Sequence, residues 1–206
     1  MAKENVIPTR QELMRLKNKR KSVLRGHKLL KDKRDNLVQI FMMSYRIAIK
    51  MRGELEEKYG EIMQRYSFAM LNIDEEYLEL LAKNPDTKIR IFSETKNVLG
   101  VKIPEMDVKV SGNFLNYSLA QTNHHLDVSL KNLRELLPDL VKLVELEFKV
   151  RRLATEIEKT RRRVNALEYV ILPEIDQNVH YIQAKLAEDA LQTTVRLMKM
   201  KVKIAN

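Results

Sequence analysis

The chain has 206 residues, a net charge of +10, 32% charged and 6% aromatic side chains, and neither cysteine nor tryptophan. The lack of cysteine excludes disulfides and thiolate chemistry, whether the thiolate would bind a metal or attack a substrate. Few glycines and prolines among many Lys, Glu, Leu and Met residues favour long helices over a globule with a thick core.

Charge is concentrated toward the two ends of the chain. Residues 1–35 carry a net charge of +8 and residues 190–206 carry +4, while the residues between them are slightly acidic at −2. The basic start contains no apolar segment typical of a secretion signal. The longest uncharged run, residues 110–126, is too polar to span a bilayer. We therefore expect a soluble protein in the cytoplasm.

The first predicted helix begins after Pro8-Thr9 and runs without proline from residue 10 to residue 81. Residues spaced alternately three and four apart form one mainly apolar stripe, as the a and d positions of a heptad repeat do, and this predicts packing on another helix. The positions are Leu13, Leu16, Arg20, Val23, His27, Leu30, Arg34, Leu37, Phe41, Ser44, Ala48, Met51 and Leu55, with a looser continuation through Ile62, Ala69, Ile73, Tyr77 and Leu80. We expect Arg20, His27 and Arg34 on this stripe to fix the register between the helices, or to keep this end of the chain from pairing too tightly, at some cost in stability.

After a proline-containing stop, the apolar period changes from helical to alternating. Residues 88–92 and 101–103 alternate polar and apolar side chains, and residues 97–100 between them are turn formers. This pattern predicts a β-hairpin, with Pro104 ending its second strand and an irregular stretch over residues 105–116. Because an isolated hairpin is marginally stable, we expect it to pack against the helices or a partner.

The second predicted helix runs from residue 118 to residue 203, and its heptad repeat is most regular over residues 143–171. The a and d positions there are Leu143, Leu146, Val150, Leu153, Ile157, Thr160, Val164, Leu167 and Ile171. Pro138 predicts a kink or a short break before this stretch, and Pro173 predicts a bend after it. Beyond Pro173 the pattern resumes in a shifted phase at Ile175, Val179, Ile182, Leu186, Ala190, Leu197, Met200 and Ile204.

Two long helices around a compact insert predict an all-α fold, dominated by an antiparallel two-helix coiled coil with a small β-hairpin between the helices. We expect one structural unit in three parts: a long helix within residues 1–82, a hairpin-containing insert over 83–117, and a second long helix within 118–206. The antiparallel arrangement would bring the two basic chain ends together. We call the residues expected there the basic tip: Arg10, Arg15, Lys19, Arg20, Arg25, Arg196, Lys199 and Lys201.

No enzyme motif accompanies this architecture. Gly26-His27-Lys28 lacks the other elements of a phosphate-binding loop, and there is no H-E-x-x-H zinc motif. His124 and His125 would point about 100° apart on a helix, which disfavours a shared metal. We predict a non-enzyme with no catalytic, cofactor-binding or metal-binding residue. From the residues alone, a coiled-coil assembly protein and a basic nucleic-acid-binding protein remain open, although no aromatics are interleaved with the cations.

Three consecutive arginines, residues 161–163, begin the most distinctive segment of the chain. Helical spacing favours their pairing with Glu156, Glu158 and Glu168 on the same helix. The segment from residue 162 to residue 173, RRVNALEYVILP, resembles the D subunits of the V-type and A-type rotary ATPases and ATP synthases. The residues that we assign to this family motif are Arg162, Arg163, Asn165, Glu168 and Pro173. Similar likenesses occur, in the expected order, at Pro8-Thr9-Arg10 with Leu13 and Leu16-Lys17, at residues 26–37 and at residues 89–101.

The resemblance implies a non-catalytic central stalk, the rotor shaft that transmits torque between ATP hydrolysis or synthesis and ion translocation, such as proton transport, in the membrane ring. The implied partners are the catalytic and regulatory subunits of the hexamer, which would face the basic tip, the small F subunit of the stalk and the socket subunit of the ring. No cofactor, nucleic acid, small-molecule substrate or direct membrane insertion is implied, and the chain would be cytoplasmic and peripheral to the membrane. We expect the hairpin to serve partner docking or regulation through Ile89, Ile91, Phe92, Val98, Val101 and Ile103.

Overall fold

The structure is a computed structural model that describes residues 6–71, 73, 77, 86–113 and 122–205. In chain order the elements are helix α1 (Arg10–Met70), strand β1 (Lys88–Val98), strand β2 (Val101–Ser111), helix α2 (His124–Ala166), a π-helical turn (Leu167–Ile171) and helix α3 (Leu172–Ala205). Long helices dominate, and the two strands form an antiparallel hairpin between them. The predicted fold class is therefore confirmed.

The chain divides into two compact units, one made of residues 1–36 and 157–206 and the other of residues 37–156. In the first unit the beginning of α1 runs antiparallel to the end of α2 and to α3. Arg20 pairs with Asp176, with Nε 2.5 Å from Oδ1, whereas His27, further along α1, lies opposite Glu168, which precedes Asp176 in the chain. The buried residues of this unit are Leu16, Thr160, Val164, Ile175 and Ile182.

In the second unit the rest of α1 runs antiparallel to most of α2. Arg52 forms an ion pair with Glu147, and Leu55 and Ile62 pack with Leu136 in a small apolar cluster. The buried helical residues of this unit are Leu37, Ser44, Ala48, Leu55, Ile62, Ala69, Leu126, Ser129, Leu136 and Leu153. Most of these positions lie on the stripes predicted from the heptad pattern, so the burial confirms that part of the prediction.

Side-chain caps fix where α1 begins and where α2 begins. Thr9 accepts a hydrogen bond from the backbone N–H of Glu12 through its hydroxyl (3.2 Å), as an N-cap residue does. Asn123 plays the same part for α2, since its Oδ1 accepts from the N–H of Leu126 at 3.0 Å. The Nδ2 of Asn123 also donates to the carbonyl of Ala69 in the last turn of α1 (3.0 Å). One side chain thus satisfies backbone groups at two helix ends.

Two predicted helix boundaries differ from the structure. The prediction extends the first helix to residue 81, whereas α1 ends at Met70 and Leu71 lies in a turn. The remainder of that prediction falls mainly on residues outside the described part of the chain. The prediction begins the second helix at residue 118, and residues 118–121 are outside the described part. In the structure this helix begins at His124, because Asn123 caps it.

Pro138 does not interrupt α2, which runs as one helix from His124 to Ala166. The predicted short break is therefore wrong. Proline removes a single hydrogen bond, the one to the carbonyl four residues earlier, at a cost of about 3 kcal/mol. The neighbouring turns pack on α1 through Leu136 and the partly buried Leu140, and this packing keeps the helix continuous.

The hairpin is longer than predicted, because each strand has 11 residues. Pro104 lies inside β2 rather than at its end, and residues 105–111 are strand rather than irregular. Proline is tolerated in a strand where its missing N–H would point away from the neighbouring strand. Pro104 meets this condition, since Met106, two residues on, directs its N–H to Glu145 of α2 instead of β1.

Candidate functional site

The chain carries four surfaces that sequence or structure singles out: the start of α1, the end of α3, the hairpin and the family motif. The α1 part of the basic tip is exposed along the helix. Arg15 pairs with Glu12 of the same helix, with Nη2 2.8 Å from Oε1. Arg20 pairs across the first unit with Asp176, whose hydrogen bond and negative charge raise the pKa of Arg20 above its ordinary value. The remaining members there, Arg10, Lys19 and Arg25, are exposed cations.

The end of α3 extends past the start of α1. The pairs Arg20–Asp176 and His27–Glu168 set an antiparallel register that places Arg10 opposite about residue 186. Residues 187–204, which we call the C-terminal segment, are all exposed. The predicted stripe at Ala190, Leu197, Met200 and Ile204 is therefore wrong as a buried face. It has no opposing turn of α1, because α1 begins only at Arg10.

The two parts of the basic tip occupy successive stretches of the first unit. Arg196, Lys199 and Lys201 lie on the C-terminal segment, ten or more residues beyond the position opposite Arg10. At a rise of 1.5 Å per residue, this separates the two groups by roughly 15 Å or more along the helix axis. The cations of the C-terminal segment are thus surrounded by apolar side chains of α3, not by the arginines of α1.

Large apolar side chains cover the C-terminal segment. Met198 is 63% exposed and Ile204 is 84% exposed. The others that are strongly exposed are Leu191, Val195, Leu197, Met200 and Val202. The heptad pattern predicts several of these residues to be buried, although the alternation of Met, Val and Ile with lysine over residues 198–204 does not have helical periodicity. That alternation is the feature of the sequence that distinguishes this exposed surface from a packed heptad face.

The hairpin turns through Leu99 and Gly100, whose φ angles of 53° and 85° are both positive. Two-residue turns of this kind match the twist of the flanking strands, and Gly100 adopts the conformation without strain. The N–H of Gly100 donates to Oδ1 of Asn97 at 2.9 Å. At the other end of the hairpin, Gly112 has a φ of 99°, and a Cβ there would lie 2.2 Å from the carbonyl oxygen of Asp86.

Only part of the predicted docking set on the hairpin is available at the surface. Val101 and Ile103 are buried within the chain, and Val98 is partly buried. Together with the bond from the N–H of Met106 to Glu145 (3.0 Å), they secure the hairpin on its own unit, as expected from its marginal stability. The exposed members are Ile89, Ile91 and Phe92, each about half exposed at 50%, 58% and 49%.

The family motif surrounds the π-helical turn. Pro173 cannot donate to the carbonyl of Tyr169, and its ring would clash with that carbonyl in a regular α-helix. The chain instead forms a turn in which the N–H of Leu172 donates to the carbonyl of Leu167, five residues back. Such a turn holds one residue more than an α-helical turn. Tyr169 on this turn is 71% exposed.

The extra residue of the π-helical turn explains the shifted phase of the apolar pattern. A heptad repeat that places Ile171 at an a position would continue at residues 174, 178 and 181. The buried residues are instead Ile175 and Ile182, one position later. The insertion thus lets α3 continue to pack on α1 after the pattern has slipped by one residue.

The charged members of the motif make both local and cross-helix pairs. Arg162 forms an ion pair with Glu158, four residues earlier on the same helix, as the spacing predicts. Glu168 does not pair with an arginine of its helix but lies against His27 of α1, with Oε2 3.3 Å from Nε2. Arg163 and Asn165 are exposed. The motif therefore combines a cross-helix contact, a distorted turn and an exposed polar face.

Comparison with known proteins shows to which family the chain belongs. Residues 12–202 match the family of ATP synthase D subunits. The chain belongs to this ATP synthase D-subunit family. The D subunit of the V-type ATP synthase of Clostridium novyi is 39% identical over 206 residues, covering 98% of this chain and 95% of the relative. The proteins of the same name from Streptococcus gordonii and Enterococcus faecalis are 36% and 37% identical over 98% of this chain, and 100% and 97% of their own lengths are covered.

Membership in the D-subunit family identifies the protein as a stalk component of a rotary ATPase, as the resemblance of residues 162–173 implied. Within the described residues, no three His, Asp or Glu side chains are grouped so that they could hold a metal ion. No helix in the described part of the chain is long and apolar enough to cross a membrane.

Proposed function

We propose that this D subunit is the non-catalytic rotor shaft of a V-type rotary ATPase. It would transmit torque between ATP hydrolysis or synthesis in the catalytic hexamer and ion translocation in the membrane ring. The observation that carries the proposal is the heptad-spaced pairing of antiparallel helices in both units, in a chain that matches the family over residues 12–202. A transmitting part needs stiffness and asymmetry more than a reactive group, and heptad packing provides stiffness.

Asymmetry has two sources in the first unit. The π-helical turn at Leu167–Ile171 changes the phase of one helix and not of its partner. The C-terminal segment then continues without an opposing helix among the described residues. Because the two sides of this unit differ, rotation inside a ring would present different surfaces to successive subunits of the ring.

We assign the C-terminal segment and the basic tip to the opening of the hexamer. At 100° per residue, Leu191, Val195, Met198 and Val202 fall on one side of α3, and Leu197, Met200 and Ile204 fall on a nearly opposite side. A helix that is apolar on two sides is suited to an enclosing surface rather than to a single groove. Arg196, Lys199 and Lys201 between these sides would meet acidic groups or helix carboxyl ends of the opening.

The hairpin and the family motif are assigned to the other stalk partners, the small F subunit and the socket subunit of the membrane ring. Exposed apolar side chains on β1 favour a docking role for the hairpin. In this arrangement the chain would be cytoplasmic and peripheral to the membrane, without inserting into it. The alternatives of a free coiled-coil assembly protein or a nucleic-acid-binding protein are not favoured, since the family match extends along nearly the whole chain.

Reconstitution tests this function. The chain is mixed with the catalytic hexamer and the small stalk subunit, and the complex is isolated for stoichiometry and ATPase measurements. We expect one copy per hexamer and a changed turnover. The proposal would be overturned if the chain did not bind the hexamer but bound DNA with a steep dependence on salt concentration.

Single substitutions in the basic tip sharpen this test. Because the charges are many and exposed, Lys199→Ala should lower ATPase turnover of the complex by no more than about twofold. Lys185→Ala, on an exposed lysine that pairs with Glu188 of its own helix, is the matched control. Complete loss of turnover from Lys199→Ala alone would contradict a contact spread over many residues.

A further inference from the structure

The two outer edges of the hairpin have different surroundings. On β2, the N–H of Met106 donates to Glu145 of α2, and Val101 and Ile103 are buried. Every residue of β1 from Lys88 to Asn97 is exposed. The sheet has two strands, so within the described residues no strand lies beside the second edge of β1.

The register shows which backbone groups lie on the outer edge of β1, the edge that does not face β2. In an antiparallel pair, residues alternate between those that bond to the neighbouring strand and those that point away. Met106 points away from β1, and its partner is Ser93. The outward N–H and C=O groups of β1 therefore belong to alternate residues, which are Ile89, Ile91, Ser93 and Thr95.

The side chains along this edge are sorted by face. Ile89 and Ile91 share one face with their partners Val110 and Val108, and this face is apolar. On the opposite face Arg90 lies directly across from Lys109. Lys88 is on that face too, and the Nζ of Lys109 lies over the ring of Phe92, 5.4 Å from the ring centroid.

The part of this second face farthest from the turn has an excess of positive charge, because Lys88, Arg90 and Lys109 have only Asp107 among them. Nearer the turn, Glu94 lies opposite Glu105 and Lys96 pairs with Glu105, so the excess does not extend there. Like charges that face each other across two strands destabilise the pair. The pairing of Arg90 with Lys109 is therefore a position that an added carboxylate would stabilise.

The edge of β1 lacks two of the devices that block strand addition, although Lys88, Arg90, Glu94 and Lys96 place charges along it. It contains no proline, and its pairing with β2 continues without a bulge over all 11 positions. Long edges of this kind are templates for a further strand. By contrast, the outer edge of β2 contains Pro104 and is capped by Glu145.

We propose that β1 binds an extended segment of a partner protein, which adds as a third strand to the hairpin and alternates apolar with acidic side chains. Its apolar residues lie beside Ile89 and Ile91, and its carboxylates lie beside Lys88 and Arg90. The outward backbone groups of β1 supply affinity, and the two faces supply specificity. This inference extends the docking role that the proposed function assigns to the hairpin. It rests on that proposed function for the identification of the partner as a stalk or ring protein.

The test uses the full chain and a fluorescein-labelled octapeptide in which valine alternates with glutamate. Binding is followed by fluorescence anisotropy, and hydrogen exchange locates it. We expect saturable binding with slower exchange at the outward amides of Ile91, Ser93 and Thr95. The matched control peptide carries lysine in place of glutamate and should bind at least about fivefold more weakly.

Two variants separate backbone from charge effects. Ile91→Pro removes an outward N–H without touching the bonds to β2 and should abolish binding, whereas Ile91→Val should preserve it. Arg90→Glu should exchange the peptide preference, so that the lysine peptide now binds better than the glutamate peptide. This variant places a glutamate across from Lys109 and should not destabilise the hairpin.

Several outcomes would overturn the inference. These are absence of peptide binding, exchange protection elsewhere than β1, unchanged binding by Ile91→Pro, and self-association of the chain through β1. If the chain nevertheless assembles with the hexamer and changes its turnover, only the strand-addition inference falls. If it fails to assemble, the shaft function falls, whatever the peptide result.

Discussion

The Nε2 of His27 lies 3.3 Å from Oε2 of Glu168, a carboxylate on the π-helical turn that precedes Pro173. His27 occupies a heptad position that is normally apolar, so its polar ring would otherwise be poorly accommodated between the helices. Arg20 has a similar cross-helix partner in Asp176. Two of the three stripe residues predicted to fix the register thus meet a carboxylate across the first unit.

Arg34 also lies on the stripe, but it pairs with Asp35, its neighbour on the same helix, with Nη2 2.8 Å from Oδ1. We therefore predict that Arg34→Leu raises the free energy of unfolding, by about 1 kcal/mol, because it adds apolar burial without stranding a carboxylate of the opposing helix. Urea denaturation followed by circular dichroism measures this. Lys31→Leu, at an exposed position on the same helix, is the control and should change stability little. Destabilisation by Arg34→Leu would show that the arginine contributes more than register.

The π-helical turn predicts an unusual deletion result. Removing Tyr169 takes out the extra residue and makes the heptad continuous, but it leaves Pro173 in the interior of a regular helix. We expect a loss of about 3 kcal/mol in the free energy of unfolding. Combining the deletion with Pro173→Ala should recover most of that loss. Thermal and urea unfolding of the three chains provide the measurement, and equal stability of the single and double variants would rule out this account of the turn.

Both the oxygen and the nitrogen of the Asn123 side-chain amide should contribute to the free energy of unfolding. Asn123→Ala removes the cap of α2 and the bond to the carbonyl of Ala69, and we expect it to cost about 2 kcal/mol. Asn123→Asp keeps an acceptor for the N–H of Leu126 but loses the donor, so its cost should be intermediate. The free energy of unfolding distinguishes them. The same value for the Ala and Asp variants would mean that the cap itself contributes nothing.

The C-terminal segment should matter for assembly but not for folding. Because residues 187–204 are exposed, a chain that ends at residue 190 should match the full chain in stability within about 0.5 kcal/mol. The same truncation should weaken binding to the catalytic hexamer and lower its coupled turnover. Calorimetry and the reconstitution assay give the two readouts. A large fall in melting temperature would instead assign the segment to the core of the first unit.

Heptad spacing predicts the helices and most of their buried residues, because a narrow stripe such as Leu153, Thr160 and Val164 can be buried only against another helix. It fails beyond residue 186, where no helix in the described part of the chain lies opposite the apolar residues. Spacing within one helix does not show where its partner begins, and that depends on the Thr9 cap of α1. The apolar pattern alone therefore overestimates the length of the packed face.

The hairpin and the π-helical turn show two other limits. Alternation predicts the strands near the turn, but from the sequence alone Pro104 is expected to end the second strand. Whether proline is tolerated there depends on the edge to which its missing N–H points, and the pairing register of the two strands determines that edge. The one-residue slip after Ile171 is visible in the sequence, where it is equally compatible with a simple bend. Only the bond from Leu172 to Leu167 shows that the slip is an inserted residue.

Rotation of a single assembled complex would show whether this chain turns inside the hexamer as its rotor shaft. Because the chain has no cysteine, Lys102→Cys on the exposed surface of β2 provides one attachment point for a bead. With the hexamer fixed to a surface, we expect unidirectional rotation of the bead that depends on ATP and stops when hydrolysis is inhibited. A bead that stays still while the same complexes hydrolyse ATP would contradict the assignment of this chain as the rotor shaft.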